Sequence, residues 1–207
     1  MTEELVRSSD VLAAVAAVAD ALDAPATNED LWEAPAGDLD WTCRHTLAHT
    51  ADCLVWYAAN LARSSTHLVE VAELTRTAPA PILVDALRSA GALLAAAVAA
   101  ATPEQRGLHP FGKADRSGFA AMGCDEVLVH GADIAAGVGV EVALPADVCD
   151  HVVRRLFPWA PTDADPWATL LWANGRASLD DLEPERKWLW HCAPLDEWDG
   201  KRRRMPK

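Results

Sequence analysis

One segment constrains the fold of this chain more than any other: a helix apolar on almost every side that still carries acids and a histidine along a single arc. In Phe119-Ala-Ala-Met-Gly-Cys-Asp-Glu-Val-Leu-Val-His130-Gly-Ala-Asp133, about 3.6 residues per turn puts Phe119, Met122, Glu126, His130, Asp133 and Gly137 on one narrow face. Val127, Leu128, Val129 and Ile134 fill the other sides, so this helix belongs inside a bundle of others. A carboxylate there is costly unless it is paired or bound to a cation. Two readings meet that cost. Glu126 and His130, one turn apart, form a buried hydrogen-bonded pair, or they bind a divalent metal that neutralises the acid and orients the imidazole.

The rest of the chain supplies the bundle. Ser8-Ser9-Asp10 can cap a first helix with Leu12, Val15, Ala19 and Leu22 at helical spacing, stopping near Pro25. A second helix is expected from about Thr42 to Arg63, with Leu47, Leu54, Ala58 and Leu61 as its stripe. A third, rich in alanine, spans about Pro81 to Ala101. A loop through Pro110-Phe-Gly112 leads to the fourth, about Asp115 to Ala136, with Gly137 and Gly139 as stop signals. The fold class is therefore all-α, a four-helix bundle over residues 1–140. Residues 141–207 read as a tryptophan-rich appendage packed on the bundle and not as an independent domain.

In that appendage Pro145-Ala-Asp147 opens a short helix to Leu156, and the runs Trp167–Trp172 and Lys187–Cys192 read as short helix or strand, with a small antiparallel β pair in view. Five of the nine tryptophans fall between Trp159 and Trp190, which predicts an aromatic lid over the bundle.

Composition narrows the partners. With 207 residues and a hydrophobic fraction of 51% the chain can bury a sizeable core. A net charge of −13 argues against nucleic acid or an anionic membrane as a partner. The one basic run, Lys201-Arg-Arg-Arg204, reads as a solvated tail. The opening Met-Thr-Glu-Glu-Leu-Val-Arg lacks the charged-then-apolar pattern of a signal peptide. The longest apolar stretch, Ala90 to Ala101, is shorter than the roughly 20 residues of a membrane span. Cys43, Cys53, Cys124, Cys149 and Cys192 are odd in number and show no CxxC spacing, as expected for reduced thiols. The expected location is the cytoplasm, with a homodimer left open.

His49, on the second helix, is the third candidate ligand. Two imidazoles and one carboxylate leave a coordination position open, the layout of a catalytic zinc site. His45 and His49 are also spaced as a pair, so a site on the second helix alone is an alternative, but it leaves Glu126 without a role. Cys53 lies one turn after His49 and could approach a metal, although it reads first as a small core residue. Asp133 orients a ligand or caps backbone. Arg44 and Arg176 could take a substrate carboxylate, and Arg44 could equally pair with an acid. His67, His109, His151 and His191 lack ligand spacing and read as surface or lid residues. No nucleophile elbow, phosphate-cradling loop or dinucleotide fingerprint occurs.

The run Trp41-Thr-Cys-Arg44-His-Thr-Leu-Ala-His49 resembles the Trp-x-x-Arg-x-x-x-x-His signature of the mycothiol-dependent maleylpyruvate isomerase N-terminal-domain family, one of the DinB/YfiT-like bundles. Glu126-Val-Leu-Val-His130-Gly-Ala-Asp133 is similar to its Glu-x-x-x-His-x-x-Asp segment, and Leu170 to Arg176 with Trp188-Leu-Trp190 resembles tails found among its members. The resemblance implies a divalent metal, zinc first among the candidates, held by His49, Glu126 and His130. It further implies mycothiol as thiol co-substrate and a small-molecule electrophile as its partner, in S-transfer or thiol-assisted isomerisation. A non-catalytic bundle that binds a metal or ligand for sensing or stress response is the alternative.

Overall fold

The computed structural model describes residues 5–64 and 66–205; residues 1–4, on which the reading of the opening segment partly rests, lie outside them. Among the described residues, six α-helices make up about half of the chain: α1 Ser8–Ala26, α2 Cys43–Arg63, α3 Ala80–Ala100, α4 Arg116–Val138, α5 Ala146–Leu156 and α6 Pro166–Ala173. Local chemistry sets their ends. Asp10, and not a serine, closes the start of α1 by accepting from Arg7 N at 2.7 Å. Thr42 Oγ1 accepts from His45 N at the start of α2, and Asp115 Oδ1 accepts from Gly118 N at the start of α4. Gly137 stays inside α4; Gly139, at φ +75°, ends it in the left-handed conformation.

α1 packs on α3 and α4, and α2 packs on the same two, so the order around the bundle is α1, α3, α2, α4. Leu22, Leu47, Leu54, Leu87, Leu94, Phe119 and Met122 are fully buried between them. α3 is long and apolar enough by composition to cross a membrane, more so than its longest unbroken apolar stretch suggested, yet its inner face packs against α1 and α2. Gly123 sets the approach of α4: a Cβ there would run into the side chains of Leu94 and Leu54. The tighter of the two contacts is with Leu94 of α3, so the missing Cβ seats α4 first against α3 and then, through Leu54, against α2.

The two-stranded sheet lies where a plain loop was expected. β1 Gly107–His109 pairs antiparallel with β2 Gly112–Ala114, with His109 opposite Gly112. Strands of three residues carry too little alternation to be read in advance. Within the appendage, Trp167–Trp172 is helical, capped by Asp165 accepting from Ala168 N at 2.8 Å. Residues Trp188 and Arg204 form an isolated bridge.

The appendage is fastened through Arg155, fully buried on α5. Its guanidinium donates to Asp115 Oδ1 at 2.6 Å, His191 O at 3.0 Å and Cys192 O at 3.1 Å. The basic run is largely exposed, as expected, but it is tied down and does not trail free. Arg202 and Arg204 pair with the buried Glu185, Arg202 lies over the Trp172 ring at 5.3 Å, and Leu189 N donates to Arg203 O. A buried carboxylate needs cations, and these two arginines supply them.

Candidate metal centre

On α2, His49, Cys53 and Tyr57 follow one another at four-residue spacing and so share a face. That face looks onto α4 where it carries Glu126 and His130. Tyr57 donates from its hydroxyl to Glu126 Oε1 at 2.9 Å. Cys53 Sγ lies 3.4 Å from His49 Nε2. Ligand atoms of His49, Cys53 and Glu126 all fall within 4.8 Å of one another.

His130 occupies a different place in the cluster. Its Nε2 is 3.3 Å from Glu126 Oε2 and its Nδ1 is 3.2 Å from Asp133 Oδ2. The His49 and His130 rings face each other edge-on with centroids 5.7 Å apart. Arg176 reaches back from the appendage to Asp133 at 2.9 Å. A line of alternating partners thus runs Tyr57, Glu126, His130, Asp133, Arg176. It realises the buried Glu–His pair of the sequence reading, with His49 and Cys53 brought up beside it.

The charges follow from these contacts. Burial works against the His130 cation, but hydrogen bonds to Asp133 and Glu126 outweigh it and raise its pKa to about 9. Burial likewise works against the Glu126 carboxylate, and the bond and charge of His130 overcome it, leaving Glu126 below its usual range. His49 moves the other way: burial lowers its basicity, with Glu126 partly opposing. A neutral imidazole is the form that binds metals. Burial, aided by Glu126 and Asp52, pushes the Cys53 thiol far above its usual range.

The remaining candidates divide. His45 stacks on Trp41 at 4.4 Å and accepts from Arg76 Nη1 at 2.6 Å, apart from the cluster. Arg44 pairs with Glu29 and Glu33 and donates to Ala78 O, which occupies it structurally. Of the histidines read as surface or lid residues, His67 is exposed, and His109 and His191 are buried at the lid. His191 is held against Pro194 O. His109 sits among Trp56, Tyr57, Phe111 and Trp190. Burial pulls its pKa down to about 4, and Phe111 N donates to its Nδ1 at 3.2 Å, so its hydrogen rests on Nε2. Nothing in local spacing marks His109, because a strand of three residues places it.

Two cavities meet at this cluster. One, of about 300 Å³, lies between Glu126, His130 and the aromatic lid formed by Phe111, Trp188 and Trp190, with Asn174 and Arg176 on its wall. The other, of about 600 Å³, is lined by Asp52, Cys53, Trp56, Glu70 and Glu73. His49, Tyr57, His109 and Pro110 belong to both. Each cavity has one buried polar atom without a hydrogen bond among the described residues: Trp190 Nε1 in the smaller and Asp52 Oδ2 in the larger. Trp190 Nε1 is near enough to Asp125 to favour its charged form, but not in bonding geometry. Asp125 itself is fully enclosed, donated to by Asn174 Nδ2 at 2.8 Å, and raised by burial to about 7.

Residues 11–135 match the profile of the mycothiol maleylpyruvate isomerase N-terminal domain, more than half of the chain, from the start of α1 almost to the end of α4. Neither a curated protein nor a solved structure matches.

Proposed function

The chain belongs to the mycothiol maleylpyruvate isomerase N-terminal domain family, and on that premise we propose that it is a metal-dependent enzyme. Its reaction brings a low-molecular-weight thiol, mycothiol foremost, to a small electrophile, by S-transfer or by thiol-assisted isomerisation. The observation that carries this reading is the position of the donor cluster at the junction of two cavities. Two substrates that react with each other need two compartments and one shared point, which a sensor of a single ligand does not.

The donor chemistry fits a borderline-soft divalent ion such as zinc. An imidazole nitrogen, a carboxylate oxygen and a thiol sulfur stand within 4.8 Å of one another, and these are zinc's usual donors. His49 and Glu126 would hold the ion, with His130 as the third ligand that the family resemblance implies. Bound there, the ion supplies a lowered thiol pKa and hence a thiolate near neutral pH.

The chain's own residues arrange the rest. Tyr57 fixes the Glu126 carboxylate, and Arg176 with Asp133 fixes the His130 ring. In the smaller cavity the rings of Phe111, Trp188 and Trp190 give a small electrophile an apolar wall, with Asn174 and Arg176 as polar groups beside it. In the larger, Asp52, Glu70 and Glu73 bring carboxylates and Trp56 an apolar wall, suited to a hydroxyl-rich thiol. His109, neutral and shared by both, can donate from Nε2.

One observation favours the non-catalytic reading. Protonated His130 and Arg176 together balance Glu126 and Asp133, so the cluster is charge-compensated without an ion, as in a bundle whose polar centre only binds a ligand. Turnover separates the two. The purified protein should hold about one divalent ion, and should consume a small electrophile only when mycothiol or another small thiol is added. Metal uptake without turnover of any electrophile supports sensing; turnover with water alone makes the protein a hydrolase.

A further inference from the structure

We propose that Cys53 is itself a ligand of the metal, so that His49, Cys53 and Glu126 form the inner donor set. The inference rests on the metal reading above and departs from it in one ligand, Cys53 standing where the resemblance implies His130; neither of the two motifs that carry the family resemblance includes a sulfur donor.

Three observations converge. First, separation. In a tetrahedral zinc site, bond lengths of about 2.3 Å to sulfur and about 2.0–2.1 Å to nitrogen put the two donors roughly 3.5 Å apart. Cys53 Sγ and His49 Nε2 are 3.4 Å apart. Second, direction. The two residues are one turn apart on α2, so both aim at the same part of α4, where Glu126 is held by the Tyr57 hydroxyl. Their ligand atoms close into one group, and His130, drawn towards Asp133, is not part of it. Third, access. Of the five cysteines, Cys43, Cys124, Cys149 and Cys192 are buried, whereas Cys53 is partly open and lines the larger cavity. A residue serving only the core has no reason to differ from the other four in this way.

On metal entry the Cys53 S–H bond breaks, its electron pair stays on sulfur for the metal–sulfur bond, and the proton passes to bulk water. A thiol–imidazole hydrogen bond spans the same 3.4 Å without any metal–sulfur bond, so the experiment must see the bond itself. The whole protein is stripped with a chelator, freed of added thiols and loaded with cobalt(II). The expected result is visible cobalt bands together with an intense near-ultraviolet thiolate-to-cobalt band. Cys53→Ser and Cys53→Ala should keep the visible bands, lose the near-ultraviolet one, and bind cobalt at least about tenfold more weakly. In the unaltered protein loaded with zinc, X-ray absorption at the zinc edge should show one sulfur at about 2.3 Å from the ion, a reading that needs no variant to fold. Cobalt bound without the near-ultraviolet band, or a band that survives Cys53→Ser, overturns the role of Cys53 and leaves the metal reading standing. A protein that takes up no cobalt overturns both.

Discussion

His130 sits between Glu126 and Asp133, and their hydrogen bonds hold a proton on a ring that burial alone would strip, so its pKa rises from 6.5 to about 9. The metal-free fold therefore gains stability from His130 that is fully present below pH 6.5 and is lost as pH rises through about 9. His109 acts in the opposite direction: burial depresses it from 6.5 to about 4, so its contribution is present above 6.5 and is lost as pH falls towards about 4. On the acid side the His109 loss is opposed by Asp125, whose carboxyl burial raises to about 7 and which therefore favours the fold as pH falls. Each histidine is therefore read as the difference between the metal-stripped protein and its variant, each worth on the order of 1–3 kcal/mol. In thermal unfolding His130→Gln should flatten the alkaline decline, and His109→Gln should gain stability relative to the unaltered protein as pH falls towards about 4; a profile that neither variant alters refutes the assignment. Metal must displace the same His130 proton if that ring is a ligand, so cobalt affinity should climb between pH 7 and 9, as a titration at the two values would record. The sequence made Glu126 and His130 conspicuous because charge on an all-round apolar helix has to be answered, and His49 because of its motif. It put Cys53 first as a small core residue and only second as one that could approach a metal, since spacing gives a face but not the depth at which a side chain stops.

At the scale of elements, the centre depends on how close α2 lies to α4. One turn before Glu126, Gly123 lets α4 close tightly on Leu94 of α3 and more loosely on Leu54 of α2. Gly123→Ala should destabilise the fold by about 1–3 kcal/mol through overpacking, in spite of alanine's better helix propensity. Chemical denaturation would measure it, and a neutral or stabilising result would show that α4 can shift freely. On α2 itself, Tyr57→Phe should leave the melting temperature nearly unchanged while weakening cobalt binding roughly 10- to 100-fold, because Glu126 loses the hydroxyl that orients it. The four bundle helices were legible to within about two residues at most ends, since apolar periodicity and capping residues are local signals. The β1–β2 pair was not, because three-residue strands depend on what packs over them, here the Tyr57 and Trp190 rings around His109.

Over the whole molecule, the appendage builds one wall of the smaller cavity: Asn174, Arg176, Trp188 and Trp190 all come from beyond α5. The concentration of tryptophans announced a lid, but its attachment was hidden, because the anchor pairs residues forty apart: Arg155 with Asp115. A shorter separation, 19 residues from Glu185 to Arg204, likewise hid the partners of the basic run, whose Arg202 and Arg204 answer the buried Glu185. Arg155 binds Asp115 and the two carbonyls of His191 and Cys192, the residues directly after Trp190. Removing one member of such a buried pair leaves its partners unsatisfied and costs about 3–5 kcal/mol. Arg155→Met fills the volume without the charge, so the loss should fall on the tail and not on the bundle. Tryptophan emission should shift to the red as Trp188 and Trp190 meet water, while cobalt binding at His49 and Glu126 changes little. If the enzyme reading holds, KM for the electrophile should rise more than KM for the thiol, because only the smaller cavity loses its wall. Unchanged tryptophan emission, or cobalt binding lost together with the lid, would mean that the appendage and the metal centre are one cooperative unit and that Arg155 is not the joint between them.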